Sequence, residues 1–90
     1  MTIDIRKANP IERVLDRLGS IELLGVVFSP AVGEGTILYR SRHGELVCHL
    51  FGPEGHTFSG AYEDGGDDPR LSFETRAAST LRREGLLLGT

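Results

Sequence analysis

Two histidines and a nearby carboxylate, His49, Glu54 and His56, are the residues of this chain best suited to chemistry. Imidazole and carboxylate donors of this kind hold zinc and related divalent metals. A hairpin running through residues 45–62 would set the two histidines on one sheet face, a diagonal step apart. No further ligand stands at a recognisable spacing, so the expectation is a chain with no metal and no other cofactor. Cys48 and His49 offer a nucleophile beside a base, but successive strand residues point to opposite faces and cannot pair directly. Cys48 reads instead as a small, buried apolar side chain. The segment Glu63-Asp-Gly-Gly-Asp-Asp68 is acidic and glycine-rich like a calcium loop. It lacks the alternating oxygen ligands and the closing glutamate of such a loop, and reads as an acidic surface turn. Val32-Gly-Glu-Gly35 has no lysine and no following helix to hold a phosphate, and reads as a connector. With no catalytic constellation, the chain is expected not to be an enzyme.

These residues must be positioned by a short series of elements. Asn9, Pro10 and Glu12 make a helix start: an N-cap, a proline at the first helical position and a glutamate three residues after the cap. Ile11, Val14, Leu15 and Leu18 then form one apolar stripe, and Gly19 ends the helix. Strands are predicted at Ile21–Phe28, Thr36–Arg42, Glu45–Phe51 and His56–Tyr62, with a two-residue turn at His43-Gly44 and a four-residue turn at 52–55. Alternation at Ile3 and Ile5 suggests a further short strand. Residues Arg70–Phe73 form either a short strand or the lead-in to a last helix, expected from about Thr75 to Glu84 with Gly85 as its cap. The predicted architecture is a single compact α+β domain over residues 1–90: helix, three- to four-stranded antiparallel sheet, helix, with both helices on one sheet face.

Turn lengths set register, and register sorts side chains between faces. The expected turns put Ile37, Tyr39, Leu46, Cys48, Leu50, Thr57, Ser59 and Ala61 on one face, small and aliphatic enough to receive helices. The other face carries Leu38, Arg40, Val47, His49, Phe51, His56, Phe58 and Tyr62, a mixture rich in the aromatic and arginine side chains that dominate interfaces. Arg40, His49, Phe51, His56, Phe58 and Tyr62 are therefore the candidate contact surface. Glu63, Asp64, Asp67 and Asp68 would supply charge complementarity to a basic partner.

Composition narrows the classes of function. A net charge of −3 argues against a dedicated duplex-DNA binder, which carries a strong basic field. The alternative, a nucleic-acid module, would use base stacking on the aromatic face or the arginines Arg76, Arg82 and Arg83 of the last helix. One cysteine suits a reducing compartment, and the first residues lack the apolar core of a signal peptide. No apolar run is long enough to span a bilayer, so a cytoplasmic location is expected. Leu86, Leu87 and Leu88 must be covered either by the domain's own core or by a second copy or another partner, and a homodimer is an expectation of equal standing with a monomer.

The element order is similar to that of the double-stranded-RNA-binding domain. In place of that family's lysine-rich cluster, however, this chain has Phe73-Glu-Thr-Arg-Ala-Ala-Ser79, with one arginine and a glutamate, and the similarity stops at element order. Compact, acidic chains of this size are common among phage-encoded inhibitors of bacterial defence, including anti-CRISPR proteins. The expected function is a small binding or regulatory protein, an inhibitor or adaptor, that docks on a protein partner.

Overall fold

The computed structural model describes residues 10–81 and the backbone of 86–88. The predicted N-cap at Asn9 and strand at Ile3–Ile5 lie outside these residues, as do Arg82 and Arg83. Helix α1, Pro10–Leu18, follows the predicted stripe, with Ile11 and Val14 buried. Gly19 closes it with φ 75°, a left-handed conformation that a Cβ disfavours, and its N–H donates to Leu15 O at 3.0 Å.

Four strands follow as an antiparallel meander: β1 Ile21–Ser29, β2 Glu34–Ser41, β3 Leu46–Phe51 and β4 Thr57–Tyr62. A 3-10 turn at Glu63–Gly65 leads into helix α2, Pro69–Leu81. A three-residue strand β5, Leu86–Leu88, then pairs antiparallel with β1, giving five strands in the order β4-β3-β2-β1-β5. The terminal leucines thus use their backbone within the chain, as an edge strand that extends the sheet beyond the predicted three or four.

Two expectations are corrected. The helices do not share a sheet face. Ile11 and Val14 of α1 pack with Val26, Phe28, Ile37, Tyr39, Val47 and Phe51. Phe73 of α2 packs on the other side, with Leu24, Leu38, Leu46, Cys48 and Ala61. Neighbours such as Ile37 and Leu38 point to opposite faces, so one helix covers each side of the sheet. The second correction is register. The β2–β3 hairpin closes through three residues, Arg42-His43-Gly44: Ser41 N–H donates to Glu45 O, and Gly44 N–H to Ser41 O, each at 2.8 Å. Tyr39 therefore pairs with Val47 and Leu38 with Cys48. That single extra loop residue exchanges the two faces of β2 relative to β3.

Helix α2 also begins six residues earlier than predicted. Asp68 Oδ1 accepts the Leu71 N–H at 3.2 Å, and Pro69 takes the first helical position. An acidic N-cap followed by proline is a strong helix start, and it lies inside the stretch read as an acidic turn.

Candidate functional site

The outer strand β4 gathers most of the candidate residues, and its geometry is set by a bulge. Val47 pairs with Tyr62 and Cys48 with Ala61, but Leu50 pairs with Phe58, so Ser59 and Gly60 together oppose His49. Ser59 has φ 51°, the positive-φ non-glycine conformation that such irregularities impose. One consequence is that Phe58 and Tyr62 leave the strand on opposite faces: Phe58 on the α2 side with Leu50, Tyr62 on the α1 side with Val47. Phe58 is 43% and Tyr62 41% exposed.

Tyr62 folds back over Gly60 to meet His49. A Cβ on Gly60 would lie 2.6 Å from the Tyr62 ring and hydroxyl and 2.7 Å from His49 Nε2, so only glycine leaves room for this contact. His49 is buried and bonded at both ring nitrogens, Nε2 to Tyr62 OH at 2.7 Å and Nδ1 to Tyr39 OH at 3.2 Å. Its ring lies edge-on to Tyr62, with centroids 5.3 Å apart. Burial, with a smaller contribution from the Arg76 charge, lowers the His49 pKa below its ordinary value. Burial first, then the neighbouring Tyr62, Glu45 and Cys48, pushes Tyr39 up to about 12. The imidazole is therefore neutral near pH 7, with one nitrogen donating and the other accepting, so the two phenols have opposite roles in one directional chain. Sequence reasoning had no route to this network, because it depends on the corrected register that brings Tyr39 to the His49 face.

The backbone of β4 is capped at Tyr62 and at Ser59. Asp67 binds both backbone polar groups of Tyr62: its Oδ2 accepts the Tyr62 N–H at 2.9 Å and its own N–H donates to Tyr62 O at 3.1 Å. Arg76 Nη1 donates to Ser59 O at 3.0 Å and lies 3.7 Å from Cys48 Sγ. A bulge and two side-chain caps blunt an edge that would otherwise attract another strand.

The remaining predicted residues scatter. Phe51 is fully buried and stacks on Phe28 at 5.9 Å, which makes it core. Arg40 lies on the α2 face, donating to Gly44 O at 3.0 Å with Glu22 at 3.8 Å. His56 is exposed and accepts from Arg17 Nη2 at 3.3 Å, so it is held by α1 and not by His49. Arg17 and Arg13 also donate to Glu54 O and Pro53 O, each at 3.0 Å, and clamp α1 to the β3–β4 turn. Among the acidic residues, Glu63 Oε1 accepts from Leu46 N at 3.4 Å, while Asp67 and Asp68 act as the caps described above. Asp64 is exposed, and its N–H donates to Glu45 Oε2 at 3.3 Å. Cys48 is buried beside Thr36 Oγ1 at 3.5 Å, as its small apolar character suggested.

Among the described residues no group of three or more histidine, cysteine or carboxylate side chains is placed to hold a metal. Nor is any described helix long and apolar enough to cross a membrane. The chain matches no known protein family, no curated protein and no solved structure.

Proposed function

We propose that this is a small non-enzymatic binding protein, of inhibitor or adaptor type, that docks on a protein partner along β4. The observation that carries this reading is half-exposed Phe58, on the α2 face of an outer strand that continues into the acidic turn Glu63–Asp68, with Tyr62 half-exposed on the opposite face. Aromatic anchors flanked by charge are the usual composition of an interface centre and rim. Because Asp67 and Arg76 already cap the β4 backbone, recognition runs through side chains and not through an added strand. The complementary surface is an apolar pocket bordered by basic residues, with Asp64 and Glu63 adding to the speed of encounter more than to its strength.

Affinity capture from lysate of the source cells, with and without nuclease, tests this reading. Phe58→Ala is expected to abolish capture of a defined protein, a loss of about 2 kcal/mol or more, while shifting stability by no more than about 1 kcal/mol. Phe51→Ala, at a fully buried position, should instead destabilise the fold by about 3–5 kcal/mol. Capture that disappears with nuclease, or that survives Phe58→Ala unchanged, would overturn the reading.

A further inference from the structure

Away from β4, at the far end of α1, the surface folds into an open groove of about 400 Å³. It lies between the last residue of α1, the start of β1 and the β2–β3 turn. Leu18, Ile21 and Tyr39 give it an apolar floor, and Ser20, Arg42 and His43 stand at its rim. Leu18 and Ile21 are only partly buried by the α1-side core, so among the described residues some of their apolar surface stays open here. The groove's volume is at the lower end for a site that takes a small organic molecule, and it is open to solvent, with polar and apolar residues sharing its lining.

The charge around the groove selects the ligand. None of the described residues lining it is acidic, although the chain as a whole carries a charge of −3. Arg13, Arg17, Arg40 and Arg76 each grip a backbone carbonyl. Arg42 has no partner among the described residues, is exposed, and sits at the rim with a guanidinium suited to bidentate recognition of a carboxylate or phosphate. Its position is fixed by the turn that carries it. Ser41 Oγ accepts the N–H groups of His43 and Glu45, each at 3.2 Å, and Gly44 turns with φ 90°. The geometry points to a binding site for a small organic anion: an aromatic or aliphatic body on Leu18, Ile21 and Tyr39, with its carboxylate, sulfonate or phosphate held by Arg42 and His43.

The probe is 1-naphthoate, titrated into the full chain and followed by amide chemical shifts, with 1-naphthalenemethanol as the uncharged control. Saturable shifts confined to residues 18–21 and 39–43 are expected, with the alcohol binding about tenfold more weakly, because the ion pair contributes about 1.4 kcal/mol. Arg42→Gln should weaken naphthoate by about the same factor without changing the melting temperature, since Arg42 lies outside both cores. Absence of saturable shifts up to about 10 mM, shifts centred elsewhere, or equal binding of acid and alcohol would each overturn the assignment.

Discussion

His49 is the residue whose environment departs most from what its neighbours in the chain suggest. It is a buried imidazole joined to two phenols, and burial holds its pKa below the ordinary 6.5. Below about pH 6.5 the unfolded chain takes up a proton at this position more readily than the folded chain does. The contribution of neutral His49 is thus complete above that pH and declines as the pH falls through it. The melting temperature is expected to drop between about pH 7.5 and 5.5, and to drop less in His49→Gln; equal drops in both proteins would clear His49 of responsibility. The sequence identifies His49 as a polar residue on a half-buried strand. It does not identify its partners, since both tyrosines reach it through positions that turn length and a bulge decide.

At the scale of elements, the local signals of α1 and the meander are read correctly, while the Asp68-Pro69 start of α2 is read as part of an acidic turn. Pro10 and Gly19 bracket α1, the four strands of the meander fall close to their predicted spans, and the apolar stripe of α1 meets the sheet. Errors arise where one residue of loop length changes everything downstream. Arg42 belongs to the β2–β3 turn and not to β2, and Ser59 bulges out of β4, so the predicted aromatic face separates into buried Phe51, exposed Phe58 and the His49 network. Close approach leaves its own mark on β2. A Cβ at Gly35 would lie 2.5 Å from both Val27 O and the Phe51 ring. Gly35→Ala should therefore cost about 3 kcal/mol in denaturant midpoint experiments. Gly52→Ala, with nothing within 4 Å of the added carbon, should stay within about 0.5 kcal/mol. Similar losses at both positions would show that backbone freedom, not crowding, sets the response.

For the whole molecule, the α+β class and the helix–meander–helix order were legible, while the face that each helix covers was not. A strand buried on one face alternates apolar and polar residues, whereas β1 is a near-continuous apolar run, the pattern of a strand covered on both sides; what the run does not carry is which helix covers which face. The fifth strand has a consequence for the order of assembly. Every other strand pair in the sheet is a hairpin between neighbours in sequence, whereas β5 joins β1 through Phe28 and Leu86, 58 positions apart. Closing so large a loop carries an entropic cost that the three short hairpins do not meet. The meander is then the early, self-sufficient unit of folding, and β5 is the last strand to dock and the first to release. Amide hydrogens of residues 86–88 should exchange with solvent well before those of the β1–β2 ladder, through a partial opening that leaves the other four strands intact.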